Sequence, residues 1–283
     1  ERLDAHGNIL VAMTDEAIDQ AIDQALATGA DAVAVSLLHS YANAVHEQKV
    51  GAALRSAAVP VALSHQVNPE AREYERTATT VLSASVMPLA ATYLKQLEDA
   101  TPEDSRLHLF HSNGGMATPA ALSDRPLGLA LSGPAAGVTA ACKVSTELGI
   151  SHAISLDMGG TSTDICLIVN GRAQISVNRS LGDRPLRQPM VAIESIGAGG
   201  GSIARLNLGV VEVGPDSAGA DPGPACYGQG GTVPTVTDAN LVLGYLEQDQ
   251  KLGESIRLDL DAARNALSPI AKEAGVTITK AAY

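Results

Sequence analysis

Two carboxylates bracket a run of small residues in the stretch Ala153-Ile154-Ser155-Leu156-Asp157-Met158-Gly159-Gly160-Thr161-Ser162-Thr163-Asp164-Ile165-Cys166-Leu167-Ile168. Ile154 and Leu156 are apolar at period two, as are Cys166 and Ile168, so the stretch reads as strand, tight turn, strand. Gly159-Gly160 and the hydroxyl residues supply the turn. Glycines let the main chain approach an anion closely, and unpaired N–H groups at such a tip can hold phosphate oxygens. A hydrated magnesium ion usually needs one or two carboxylates, which Asp157 and Asp164 would offer. The plainer alternative is an ordinary hairpin with an acidic turn.

A second glycine cluster, Gly197-Ala198-Gly199-Gly200-Gly201-Ser202, follows the expected strand Val191–Ile196. Gly199-x-Gly201-x-x-Ala204 fits the loose dinucleotide fingerprint, but Gly209 cuts short the helix that a βαβ unit requires. No Walker lysine follows, so the cluster is not a P-loop. It can form a backbone nest for an anion or a place where another segment packs closely. A long Gly- and Pro-rich loop runs from Gly214 to Gly228, and a polar loop of that length is more often functional than decorative.

Other reactive residue types have weaker claims. His108 and His111 are three apart on an expected strand and face opposite sides, so they cannot chelate one metal together. His111, beside Asn113, could act as an acid/base or polar ligand, although a structural histidine is favoured. Cys226 lacks a nearby histidine and reads as a packed thiol rather than a nucleophile. His39 and His46 receive no role. Tyr74-Glu75-Arg76 could hold an ion pair near a cleft, with a solvated face as the default.

The elements that must position these groups alternate. Thr14 caps a helix with stripe Ala17, Ile18, Ala21, Ile22, Ala25 and Leu26, which Gly29 ends. Ala32–Leu38 reads as a buried parallel strand, and Ala44–Ala57 as a helix. Val59–Ser64 is a short strand, and Thr77–Leu97 a long helix with a possible bend at Pro88. Leu107–His111 is a strand ending at Ser112-Asn113-Gly114-Gly115, and Ser132 opens an Ala-rich helix through Leu148. Beyond the hairpin, Ala173–Val177 is expected to pair as a third strand of a meander. Thr237-Asp238 is expected to cap a helix to Leu246, and Leu260–Ala274 is a final helix. This alternation implies an α/β layered architecture, with a boundary near Gly149 separating 1–148 from 149–283.

Composition sets the outer limits. The 283 residues are 45% hydrophobic but only 2% aromatic, so Ala, Val, Leu and Ile must build the core. A formal net charge of −12 argues against nucleic acid or an anionic membrane as partner, since both need a basic patch. No apolar run approaches the length needed to span a bilayer. Cys142, Cys166 and Cys226 show no CxxC spacing, which fits a reducing cytosol rather than a disulfide framework or zinc site.

Together the motifs resemble the hydantoinase A/oxoprolinase family. They are Asp157–Asp164, Ser132-Gly133-Pro134-Ala135-Ala136-Gly137, Ile196–Ala204, Val213–Gly228 and Thr235-Val236-Thr237-Asp238-Ala239-Asn240, with Tyr74-Glu75-Arg76-Thr77 and Ser112-Asn113-Gly114-Gly115 upstream. The likeness covers nearly the whole chain. It implies the ribonuclease-H-like fold of the actin, hexokinase and heat-shock-chaperone ATPases, with mixed sheets, flanking helices and ATP between two lobes. Residues 1–148 would belong to the first lobe, and 149–283 to a second lobe opening with the hairpin. The family's N-terminal glycine-rich phosphate turn and its C-terminal Gly-Gly nucleotide segment have no counterpart here, so the chain is expected to be the central portion of a longer subunit.

The resemblance further implies an ATP- and Mg2+-dependent cyclic-amide hydrolase of the hydantoinase or 5-oxoprolinase type. ATP would phosphorylate the ring carbonyl oxygen, and water would then open the activated ring. Asp157 and Asp164 would hold Mg2+ or its waters and serve the catalytic step. Gly159, Gly160, Thr161 and Ser162 would contact phosphates, and Gly199, Gly200, Gly201 and Ser202 would line the cleft. A second, hydantoinase B-like subunit or domain is the implied partner. The alternatives are an ATP-dependent ketone carboxylase subunit and a non-catalytic lobe that binds a partner.

Overall fold

The computed structural model describes residues 1–248, 251–252 and 256–283. The chain divides into two compact units, one of residues 1–151 and 169–192, the other of 152–168 and 193–283.

In the first unit, apolar spacing and β-branched residues build a small α/β layer. Strands Val33–Val35 and Val61–Leu63 pair in parallel. Helices Asp15–Ala27 and Val45–Ser56 pack beside them, with Ile18, Val50 and Leu54 buried against Val35 and Leu63. Helix and strand touch at Gly51, where a Cβ would stand 2.7 Å from Leu63 Cδ1. The strand expected over 32–38 is limited to three residues, because the Leu37 N–H turns aside to the Glu47 carboxylate at 2.8 Å. Glu47 is fully buried and also accepts the Ser64 hydroxyl at 2.6 Å, the His65 N–H at 3.0 Å and His65 Nδ1 at 2.7 Å.

The long helix runs Glu73–Ala100, through Pro88. By length and composition it could cross a membrane, which corrects the expectation that no such run exists. The sequence conceals this because Ala, Thr and Ser, rather than a block of Leu, lend it that character. Its Arg76, Thr79, Thr80 and Ser83 are buried in the unit, and the Thr79 and Thr80 hydroxyls donate to the carbonyls of Glu75 and Arg76. Arg76 is therefore no solvated residue. Its guanidinium donates to the carbonyls of Glu70 and Leu37 and lies over the Tyr41 ring, 5.3 Å from the centroid.

Two expectations about the following strands need correction. Residues 173–177 do not form a continuous strand: Ile175–Ser176 pairs antiparallel with Met190–Val191. Residues 191–196 are split, so that Met190–Val191 belongs to the first unit while Glu194–Ile196 pairs with Thr163–Val169 in the second. Ala192 interrupts the run by donating its N–H to the Gln174 carbonyl. A hairpin of Arg179–Leu181 and Arg184–Leu186 packs Leu186 with Met190, Leu127 and, from the long helix, Leu82 and Val86.

The second unit begins with the expected hairpin, His152–Met158 and Thr163–Val169, extended by Glu194–Ile196. Cys166, Ile168 and Ile193 are buried, whereas Ile154 and Leu156 are 67% and 64% exposed. Residues following the glycine cluster form strand Ser202–Asn207, paired with Val210–Ser217, so no βαβ unit follows. Helix Leu260–Ala274 buries Ala263 against Leu258, Cys226 and Leu241. The helix before it spans Val236–Val242, shorter than expected, with Gly244 in the left-handed region beyond it. Its cap is Thr235, not Thr237: the Thr235 hydroxyl and the Asp238 carboxylate each satisfy the other's backbone N–H.

Candidate phosphate-binding hairpin

At the hairpin tip the Gly159 N–H donates to the Ser162 carbonyl at 2.9 Å, closing the turn. Among the described residues, the N–H groups of Gly160, Thr161 and Ser162 find no protein acceptor. Gly160 and Thr161 are exposed, and a Cβ on Gly160 would meet nothing within 4 Å. The tip therefore leaves three successive N–H groups without a protein acceptor, and those of the exposed Gly160 and Thr161 are open to solvent or to an anion.

The second glycine cluster braces this tip from behind. Gly200 donates to the Gly159 carbonyl at 2.9 Å, and Gly201 to the Gly160 carbonyl at 2.7 Å. A Cβ on Gly199 would stand 2.7 Å from both the Gly159 oxygen and the Ser162 nitrogen. One on Gly201 would lie 2.9 Å from the Gly160 oxygen. Of the two readings the residues left open, close packing accounts for these glycines directly. Ser202 is fully buried, and its Oγ accepts the Gly199 N–H at 2.8 Å.

Thr237 completes the brace by donating both its N–H and its hydroxyl to the Gly200 carbonyl, at 2.8 and 2.7 Å. Asp238 next to it is fully buried and gathers the Cys226 N–H at 2.8 Å, the Thr235 N–H at 2.9 Å and the Thr235 hydroxyl at 2.8 Å. It thus pins the long glycine-proline loop to the helix N-terminus. Burial, together with the Asp238 charge, pushes the Cys226 thiol far up, so it stays protonated and is no nucleophile. Burial likewise raises the Tyr227 hydroxyl, with Cys226 adding to the effect.

Tip and brace line an open cavity of about 360 Å³, within the range of small-molecule sites. Gly159, Gly160, Gly200 and Gly201 are on its wall. Asp157, Thr161, Ser162, Asp164, Gly199 and Ser202 are not. Asp157 is exposed at the end of its strand. Asp164 is half-buried, and its Oδ1 accepts the Ser195 hydroxyl. Neither aspartate is sealed in a dry interior. Among the described residues no group of three or more His, Cys, Asp or Glu side chains gathers to hold a metal. The two aspartates suit a largely hydrated Mg2+, which needs only one or two carboxylates. Thr237, Tyr227 and Asn240 also line the cavity; the Thr-x-x-Asp spacing from Thr235 to Asp238 was the signal that could have placed this helix end at the site.

The hydantoinase/oxoprolinase family profile matches residues 76–283, and that of its N-terminal region matches residues 1–58. The chain belongs to the hydantoinase/oxoprolinase family. It is 41% identical to the caprolactamase alpha subunit of Pseudomonas jessenii, over 99% of this chain and 41% of that protein. It is 36% identical to the 5-oxoprolinase of Saccharomyces cerevisiae over 78% of this chain and 17% of that protein. The crystal structure of the ATP-dependent caprolactamase from Pseudomonas jessenii superposes with a TM-score of 0.78, covering 99% of this chain and 42% of that one. A nucleotide-free acetone carboxylase structure, 30% identical, gives 0.75 over 99% of this chain and 41% of that one. The chain thus spans about two fifths of the length of the caprolactamase subunit it matches.

Proposed function

We propose that the chain is the phosphate-handling part of an ATP-dependent cyclic-amide hydrolase, with its two units belonging to ribonuclease-H-like lobes. The observation that carries this reading is the tip of three free N–H groups, held rigid by Gly199, Gly200 and Gly201 and flanked by Asp157. Such a tip can receive phosphate oxygens without rearranging, which is where electrostatic catalysis gains most. In this reading Gly160, Thr161 and Ser162 bind the terminal phosphates of ATP through their main chain. Asp157 and Asp164 hold Mg2+ or its waters, and the Ser195 hydroxyl keeps the Asp164 carboxylate oriented. ATP and Mg2+ would supply the phosphoryl group that turns a poor amide electrophile into one that water can open.

The family relatives support this choice, since the caprolactamase and 5-oxoprolinase relatives are named for cyclic amides. A ketone carboxylase subunit is the second reading, favoured by 31% identity to the acetone carboxylase beta subunit of Xanthobacter autotrophicus over the whole of this chain. Relatives named as alpha, beta and gamma subunits support a partner chain, such as a hydantoinase B-like subunit, and leave a purely partner-binding lobe as the remaining alternative. The test is Asp157→Ala in the full-length subunit with its partner, followed by phosphate release with a panel of lactams and ketones. A fall of about a hundredfold or more in lactam-dependent release is expected for a lost phosphate-site contact. Turnover within a few-fold of the parent would overturn the assignment.

A further inference from the structure

The first unit contains a second cavity, of about 310 Å³, beside the Ser112–Gly115 turn and walled on one side by the long helix. Its polar lining is Ser83, His111, Asn113, Arg125 and Gln188, and Val67, Leu122 and Leu127 supply the apolar part. Ser83 is 1% exposed, and its hydroxyl is one of three buried side-chain polar atoms without a partner among the described residues. A buried hydroxyl left unpaired is costly to a fold unless something else satisfies it.

The neighbouring groups have their bonding directions fixed. Asn113 Oδ1 accepts the Gly115 N–H at 2.9 Å, so its amide nitrogen is left as a donor. Gln188 gives its amide nitrogen to Ser112 Oγ at 2.9 Å, so its oxygen is left as an acceptor. The turn itself is tied down, with the Ser112 N–H on the Gly128 carbonyl at 2.8 Å and the His111 N–H on the Gly115 carbonyl at 2.9 Å. A Cβ on Gly115 would come within 3.1 Å of both His111 Nε2 and Asn113 Oδ1, so glycine there keeps the imidazole edge and the amide uncrowded. Arg125 is exposed and, among the described residues, has no ion-pair partner.

We propose that this cavity binds a small lactam, its carbonyl oxygen taking hydrogen bonds from Ser83 and Asn113 and its ring N–H donating to Gln188. The choice of a lactam rests on the cyclic-amide reading above; the existence of the site rests on the orphaned hydroxyl and the fixed donors and acceptor. The apolar wall accepts the ring methylenes. Arg125 adds a charge contact only for a lactam that carries a carboxylate.

The test is calorimetric titration of the full-length subunit with its partner, using 5-oxoproline and ε-caprolactam with no nucleotide present. Both lactams are expected to bind, and Ser83→Ala and Gln188→Ala are each expected to weaken both by about tenfold, as for loss of one buried hydrogen bond. Arg125→Ala is expected to weaken 5-oxoproline and spare caprolactam. Thermal melting of Ser83→Ala separates binding from folding, because removing an unpaired hydroxyl should leave Tm equal or higher. Failure of both lactams to bind, or unchanged affinity in both the Ser83 and Gln188 variants, overturns the proposal. A full-length subunit that binds Mg-ATP but neither lactam would overturn this site alone. One that binds lactam but not Mg-ATP would overturn the hairpin reading alone.

Discussion

The N–H of Gly201 donates to the carbonyl of Gly160 at 2.7 Å, joining two glycine clusters that lie about forty residues apart in sequence. Gly200 repeats the contact one residue back, on Gly159, and Gly199 lies so close that no side chain fits between. The rigidity of the phosphate-type tip is therefore a property of both clusters together. A nest formed by a lone hairpin would have its N–H directions averaged by motion, whereas here the Gly159 and Gly160 carbonyls, opposite the Gly160 and Thr161 N–H groups, are already bonded.

Gly199→Ala tests this relationship. Its φ is not in the left-handed region, so the penalty comes from the Cβ meeting main chain at 2.7 Å and not from backbone strain. The fold should lose about 1–3 kcal/mol, the usual cost of overpacking. Mg-ATP affinity should fall further than the same substitution at Gly197, whose added Cβ meets nothing within 4 Å. Denaturant melts of the two variants beside nucleotide titrations check it, and equal behaviour of both would refute the brace.

Glu47 gives the first unit a distinct pH dependence. Burial alone would push its pKa up, yet hydrogen bonds from the His65 N–H, the Ser64 hydroxyl and the Leu37 N–H outweigh that and hold it below its ordinary value of 4.5. A carboxyl whose folded pKa is depressed contributes stability above its unfolded pKa and loses it as pH falls through the folded one. Stability should therefore be insensitive to this group at neutral pH and decline as the solution is acidified below about pH 4.5. Glu47→Gln should remove that acid-side slope and cost about 1–3 kcal/mol at pH 7. Urea melts across pH 3–7 on parent and variant provide the measurement.

Local signals carried much of this fold. The hairpin, the helix Leu260–Ala274 and the parallel strands at Val33–Val35 and Val61–Leu63 follow from periodicity and caps that neighbouring residues supply. Misreadings occurred where a distant partner decides the outcome. The Leu37 N–H leaves its strand for a buried carboxylate ten residues on. Thr237, a good cap by type, is drawn instead to the Gly200 carbonyl, and the cap passes to Thr235. At the site, residue types pointed to the tip, but whether Gly199–Gly201 formed a nest or a packing surface depended on distances that spacing does not encode. The lactam-sized cavity was foreshadowed only by the interest of His111 and Asn113; Ser83 and Gln188 are unremarkable residues in sequence, and the fold makes them matter by placing both on one cavity wall.

Cys226 offers a test of the second unit's core. The thiol is fully buried against Leu241, Leu258 and Ala263 and faces the Asp238 carboxylate, so desolvation first and that charge second disfavour the thiolate. Since the thiolate is the reactive form, alkylation at pH 8 should spare Cys226 in the native protein while modifying the half-buried Cys142. Adding denaturant should expose Cys226 in step with the unfolding of the unit, read by mass spectrometry of the labelled peptides. Cys226→Ala should cost about 1–2 kcal/mol through the cavity it leaves. If native Cys226 is alkylated as fast as Cys142, the loop from Gly214 to Gly228 is not pinned by Asp238, and the wall of the cavity beside the hairpin tip that depends on Tyr227 is not preformed.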